Sequence, residues 1–175
     1  MADVKPSVVL VHGGFVDGAG WEGVSAQGYK ELETAAPKFG LSILSLPLGT
    51  IKDADRIFAT IREARPQALV IHPTSQVGGL QHEIAAFAIA ERLPTITGQD
   101  VFARTGLLMS YGPDWAPLYR LTAQYVDQLL RGAKAAELPV QQPTRFQLVI
   151  NQRTAQALGL AIPPTLLARA DEVIE

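Results

Sequence analysis

Apolar residues along this chain fall into short unbroken runs, separated by longer stretches in which they recur every three or four positions. Val8 to Val11 is the first such run, closed by His12-Gly13-Gly14; an apolar run ended by a glycine turn predicts a buried strand. A Gly-rich loop follows to Gly20. Over Lys30 to Phe39, Leu32, Ala35, Ala36 and Phe39 share one face and Gly40 lies just beyond, which predicts a helix and its stop. Leu41 to Leu46 reads as a second strand. Asp53 stands where it can cap the next helix, whose Ile57, Phe58 and Ile61 form one buried stripe. Ala68 to Ile71 is a third strand. Leu80 to Leu93 predicts a helix with Ile84, Phe87, Ala88 and Leu93 inward, ended by Pro94. Thr95–Thr97 and Leu107–Tyr111 read as strands, the second stopped by Gly112-Pro113. A long helix is predicted from Asp114 or Trp115 to Arg131, with Leu118, Leu121, Tyr125, Leu129 and Leu130 repeating at helical spacing and Gly132 at its end. Phe146–Ile150 is the last predicted strand, and one or two short helices close the chain.

Strands thus alternate with helices almost throughout, and the strands are continuous apolar runs. Both features predict an α/β fold: a Rossmann-like parallel sheet with helices on both faces. Ligands of such sheets sit at the carboxyl ends of the strands, which directs attention to segments 12–20, 72–76, 97–100 and 110–115. No internal repeat or low-complexity segment interrupts the pattern.

Composition narrows the function. The 175 residues suit one domain with a sizeable core. Hydrophobic residues make up 47% and charged residues 18%, an ordinary globular balance. A net charge of −2 without a long run of one sign argues against a basic nucleic-acid face. With no cysteine, disulfides, thiolate metal sites and cysteine nucleophiles are excluded. No apolar stretch reaches the roughly 20 residues that span a bilayer. The opening MADVKPSVVLVHGG lacks the long apolar segment and small-residue cleavage site of a signal peptide, so the chain as written is expected to stay in the cytoplasm.

Three motifs carry candidate chemistry. Residues 8–24, VVLVHGGFVDGAGWEGV, resemble the opening of an α/β-hydrolase, in which a strand runs into a His-Gly loop whose peptide N–H groups help form an oxyanion hole. That family carries its nucleophile on a G-x-S-x-G elbow, which is missing here. Ser75 has no flanking glycine at either required position, and only His82 follows it. An esterase is therefore an alternative without its central motif, and His12 with its glycines also makes sense as a plain strand-to-helix turn. Gly18-Ala19-Gly20-Trp21-Glu22-Gly23 matches G-x-G-x-x-G, but it begins well after the first strand, and the second strand ends in Ser45-Leu46-Pro47 without the acid a dinucleotide site uses. His72 and His82 have no obvious third metal ligand.

Residues 30–175 carry a third and more specific candidate. Gly106-Leu107-Leu108-Met109-Ser110-Tyr111-Gly112-Pro113-Asp114 resembles the hinge strand of ABC-transporter substrate-binding proteins. Tyr125-Val126-Asp127, Arg131-Gly132-Ala133-Lys134, Leu138-Pro139-Val140, Gln142-Pro143-Thr144 and Leu148-Val149-Ile150-Asn151 continue the likeness in order. So do Ala157-Leu158-Gly159-Leu160, Ile162-Pro163-Pro164 and the stretch from Leu166 to Glu175; residues 30–105 resemble the preceding lobe more loosely. The resemblance implies a type I periplasmic-binding-protein lobe. Such proteins have two Rossmann-like lobes around a cleft, bind small solutes (aromatic amino acids in the best-known members) and work outside the cytoplasmic membrane, where ABC permease subunits read the closed form. It implies neither metal nor cofactor, and no enzymatic activity. On this reading residues 1–28 are a hydrolase-like strand and loop, and residues 29–175 a substrate-binding-protein-like lobe. The two are expected to fold as one unit, with most of the N-terminal lobe absent and the first strand in place of a missing one.

The same resemblance, placed on the strand ends, gives the candidate ligand contacts: Pro73, Thr74 and Ser75; Thr97 and Gly98; and, at the hinge, Ser110, Tyr111 and Asp114. Their hydroxyls and N–H groups suit an amino-acid carboxylate, and Asp114 could pair with the ammonium. Asp114 also reads as a helix-start residue, and Thr97-Gly98 as a turn. Trp115, Tyr119 and Tyr125 read as packing residues of the long helix, although Trp115 is placed to close over an aromatic ligand. A lobe without its partner exposes an apolar face, which a homodimer would cover; a self-associating orphan lobe is the remaining non-enzymatic alternative.

Overall fold

The computed structural model describes residues 6–13 and 30–175. The Gly-rich loop, the G-x-G-x-x-G match and most of the hydrolase-like opening lie outside the described residues. Seven strands form one sheet: β1 (Ser7–Gly13), β2 (Ser42–Leu48), β3 (Ala68–Ile71), β4 (Thr95–Thr97), β5 (Met109–Pro113), β6 (Phe146–Asn151) and β7 (Glu172–Ile174), in the order β2-β1-β3-β4-β5-β6-β7. The helices are α1, described over residues 30–35, α2 (Ala54–Ala64), α3 (Ser75–Gly78), α4 (Gln81–Ala90), α5 (Asp100–Arg104), α6 (Trp115–Leu130), α7 (Gln152–Leu158) and α8 (Pro164–Leu167).

The expected α/β sheet is present, but it is not wholly parallel. The first five strands in space run parallel, whereas β6 pairs antiparallel with β5 and parallel with β7. The connection explains this. The chain leaves the carboxyl end of β5, makes a long excursion through α6, and returns to the same end of the sheet. A strand that re-enters where its neighbour left needs no crossover and must run the other way.

Parallel strands in register point matched residues to one face. Val9 and Val11 lie beside Leu69 and Ile71, which lie beside Thr95 and Thr97. On that face α2 brings Ile57 and Ile61, and α4 brings Ile84, Ala85, Phe87 and Ala88, into one buried cluster. Phe58 stacks on Phe87 at 4.3 Å between ring centroids, and the Arg62 guanidinium lies 5.1 Å from the Phe87 centroid, a contact favoured by the ring quadrupole. A smaller cluster of Leu108, Ala155 and Leu158 docks α7.

Several local expectations change. The helix through Ala35 tightens into a 3-10 turn at Ala36–Phe39, and Phe39 is exposed. Asp53 stands at the start of α2, but its carboxylate turns away to accept hydrogen bonds from the Thr50 N–H at 2.8 Å and the Thr50 hydroxyl at 3.2 Å. These bonds, led by the Thr50 N–H, hold Asp53 below the usual carboxylate pKa. The predicted helix 80–93 is α4, which ends at Ala90 with Leu93 still buried in the loop beyond; the separate short helix α3 precedes it and was not predicted. β5 runs on through Gly112-Pro113 instead of stopping before them. α6 spans the expected residues, yet none of them is buried, and Leu129 and Leu130 are exposed. The stripe was correctly placed on a helix: Leu118, Leu121 and Tyr125 are half-buried toward the returning segment, and the stripe lies open at its C-terminal end.

Candidate functional site

Because β3, β4 and β5 are parallel, their carboxyl ends open on one edge of the sheet, and the antiparallel β6 begins at that same edge. This brings together residues 72–75, 98–100 and 114–115 with Arg145 and Phe146, segments that are far apart in sequence.

Among the described residues five buried positions carry polar side chains: Thr95, Thr97, Ser110, Asn151 and Thr154. Three are satisfied inside the fold. Thr95 Oγ1 accepts from the Leu108 N–H at 2.8 Å. Asn151 donates to the Ala103 carbonyl at 2.9 Å and accepts from the Thr154 N–H at 3.0 Å, and the Thr154 hydroxyl donates to the Gly106 carbonyl at 2.9 Å. The other two, the Thr97 and Ser110 hydroxyls, have no protein partner. These two residues are direct register partners on β4 and β5, so their side chains stand next to each other on one face. Leaving such a group unpaired costs about 1–3 kcal/mol, a cost expected where a polar group serves something other than the fold.

The structure brings some of the other candidates to this edge and turns others away. Thr74, in extended conformation, caps α3 by accepting from the Val77 N–H at 3.3 Å. Ser75 is exposed, with its hydroxyl on Gln76 Oε1 at 3.1 Å; Pro73 is half-buried beside them. Gly98 packs directly on β5, because a Cβ on Gly112 would lie 1.9 Å from the Gly98 carbonyl oxygen. Tyr111 alternates to the face opposite Ser110, is 58% exposed, and stacks on Phe146 at 5.9 Å. Asp114 is committed twice: it accepts from the Ala116 N–H at 3.1 Å as the cap of α6, and it lies 3.6 Å from the Arg145 guanidinium. The backbone closes the same junction, with the Asp114 N–H donating to the Arg145 carbonyl at 3.0 Å.

Two features were not read from the sequence. Gln99, Asp100, Val101, Trp115 and Tyr119 line a pocket of about 180 Å³ at the edge where β4 and β5 end. Trp115 and Tyr119 are 6.3 Å apart, one turn along α6. The available signal was Gly98-Gln99-Asp100 directly after a strand, the composition of a helix start, but a five-residue helix leaves little periodicity to detect. Secondly, a groove of about 330 Å³ runs between Pro117, Leu118 and Leu121 of α6 and the returning segment 141–145. Behind the pocket, Arg104 of α5 grips Glu172 of β7 with both arms of its guanidinium and reaches Asp100 at 3.3 Å. The pairing with Glu172, foremost, raises the Arg104 pKa above its usual value. Among the described residues no group of three His, Asp or Glu side chains could hold a metal ion, and no helix is long and apolar enough to cross a membrane.

Residues 19–174 match the protein family described as ABC transporter substrate binding protein. No curated protein matches the chain. Among solved structures, a conserved domain protein from Vibrio cholerae superposes with a TM-score of 0.84 at 24% identity, over 98% of this chain and 55% of that one. The ABC domain from Streptococcus pneumonia in complex with L-Trp gives 0.83 at 22% identity, over 97% of this chain and 55% of that one. A ligand-free, open substrate-binding protein with adhesive properties from Clostridium difficile gives 0.68 at 16% identity, over 99% and 56%. The chain therefore spans little more than half the length of these proteins, and the likeness establishes the shared fold. The hydrolase resemblance of residues 8–24 draws no support from these matches, and the family match already begins at residue 19, inside it.

Proposed function

The chain belongs to the ABC transporter substrate-binding protein family, and on that premise we propose that it is a solute-binding lobe that captures a small molecule of the amino-acid class for uptake. The observation that carries the reading is the shared edge of β3, β4 and β5, with the Thr97 and Ser110 hydroxyls side by side and without protein partners. In this assignment those hydroxyls, the Thr74-Ser75 turn with Pro73, and the chain at Gly98 receive the carboxylate of the solute. Tyr111 and Asp114 belong to the hinge; Asp114, already engaged by Ala116 and Arg145, shapes it. The L-Trp held by the Streptococcus domain supports the amino-acid class.

The first strand belongs to the same folded unit as the rest in this reading, since β1 is flanked on both sides by strands from beyond residue 40. The family works outside the cytoplasmic membrane, and its ABC permease is the partner assigned to the loaded lobe. The exposed apolar residues of α6, Tyr119, Val126, Leu129 and Leu130, support a homodimer, which light scattering at micromolar concentration would detect; a monomer there removes that part of the proposal.

A thermal melt against a panel of amino acids and small organic acids tests the function. Ligand at 100 times its dissociation constant adds about 2.7 kcal/mol to native stability, or roughly 5–10 °C for a domain of this size. A shift selective for amino acids is expected. A cooperative melt that no member moves would refute the reading.

A further inference from the structure

Resting on the solute-binding reading, we propose that the pocket between α5 and α6 is a subsite for an organic ammonium group, with the Asp100 carboxylate as its anion and the Trp115 and Tyr119 rings as its walls. Three observations converge there. The first is shape: about 180 Å³ lined by Gln99, Asp100, Val101, Trp115 and Tyr119, at the strand ends where the solute sits. A volume of this size admits an ammonium head.

The second is charge. Asp100 is bound to Arg104 by a single contact at 3.3 Å, while both arms of the same guanidinium are taken by Glu172. Two carboxylates share one guanidinium, so the cluster keeps one net negative charge. The other carboxylate near the edge, Asp114, is matched by Arg145. Asp100 is thus the acid with attraction to spare.

The third is the aromatic pair. Trp115 and Tyr119 lie 6.3 Å apart and tilted by 37°, and both retain exposure, at 37% and 70%. Aromatic faces attract a cation, most strongly where it is desolvated. A carboxylate beside two such faces recognises a primary or methylated ammonium in preference to a neutral or anionic group.

Calorimetric titration of the full chain with L-tryptophan, tryptamine and indole-3-propionate compares one scaffold with both charges, with the ammonium alone and with the carboxylate alone. L-Tryptophan and tryptamine are expected to lose roughly tenfold or more in affinity on Asp100→Asn, with indole-3-propionate unchanged. Arg104→Gln should act in the opposite sense and tighten the two ammonium ligands, which a purely structural role for the cluster would not do. Tyr119→Ala, at a position too exposed to disturb the core, should weaken the same two and supports the subsite if Asp100→Asn folds poorly. Equal affinities of wild type and both Asp100→Asn and Tyr119→Ala for L-tryptophan would overturn the subsite and leave the solute reading standing. Where none of the three ligands binds, the solute reading loses this class, and the pocket is decided separately. In a Trp21→Phe chain Trp115 is the sole tryptophan, and its emission is followed against tetramethylammonium chloride, with sodium chloride as control. A saturable response lost on Asp100→Asn supports the subsite; a response that is linear or indifferent to that substitution overturns it.

Discussion

Replacing Gly112 by alanine should do more damage than any other single-methyl change at the site edge. An added Cβ would stand 1.9 Å from the Gly98 carbonyl oxygen, 2.7 Å from its carbon and 3.2 Å from its Cα. All three neighbours are backbone, so no side chain can rotate away. The hinge strand and the β4–α5 loop must separate by roughly 1 Å, an overpacking of the kind that costs about 1–3 kcal/mol. For a domain of this length that lowers the melting temperature by roughly 2–4 °C per kcal/mol. The loop that gives way carries Gln99 and Asp100, so solute affinity should fall together with stability. Gly98→Ala is the matched control: nothing lies within 4 Å of its added Cβ, and it should melt close to wild type. Paired thermal melts of the two variants, with and without ligand, make the comparison. If Gly112→Ala melts within a degree of Gly98→Ala, the loop does not rest on β5 and the predicted clash is refuted.

Other expectations follow from the same geometry. Thr97→Val removes a buried hydroxyl without a partner, so the ligand-free protein should melt roughly 2 °C or more higher, while calorimetry should show weaker solute binding; a less stable variant would contradict the unpaired state of Thr97. Arg104 and Glu172 are both partly exposed, so a double-mutant cycle with Arg104→Ala and Glu172→Ala should give a coupling of about 0.2–1 kcal/mol, and a zero coupling would mean that α5 is not tied to β7. Asp53 has a pKa below its ordinary value of 3.8, so its charged form favours the native state. That contribution is present above the unfolded pKa and fades as pH falls through the lower native one. Asp53→Ala should therefore melt below wild type at neutral pH, and the gap should close only below pH 3.8; a gap that stays constant to lower pH would refute it.

The strands β1 and β3 were legible because a buried parallel strand shows itself as a short apolar run. The direction of β6 was not, because side-chain alternation is identical in parallel and antiparallel strands; direction is set by where the chain returns. β7 is three residues long and starts with Glu172, whose partner Arg104 lies far back in the sequence, so neither length nor hydropathy marks it. The apolar stripe of α6 was legible as a helical pattern, but not that Leu118, Leu121 and Tyr125 are half-buried while Leu129 and Leu130 are exposed, since periodicity describes a face without supplying what packs on it. At the candidate site, Thr97 and Ser110 were singled out by the resemblance placed on the strand ends. That their hydroxyls lie side by side, while Tyr111 points to the other face and Asp114 is already paired, depends on strand register. Asp100 was not singled out, because its shared pairing with Arg104 and Glu172 is something only folding brings together.

The excursion from β5 to β6 starts and ends at one backbone hydrogen bond, between Asp114 and Arg145. Its two mouths are already closed, so the sheet does not depend on what is strung between them. Residues 115–144 are in that sense a cassette. A tight turn, a longer arm or a foreign module could be grafted there without rethreading a single strand, and the entropic cost of a longer insert grows only with the logarithm of its length. A lobe built this way can change what it meets on its open side while the frame behind it stays the same.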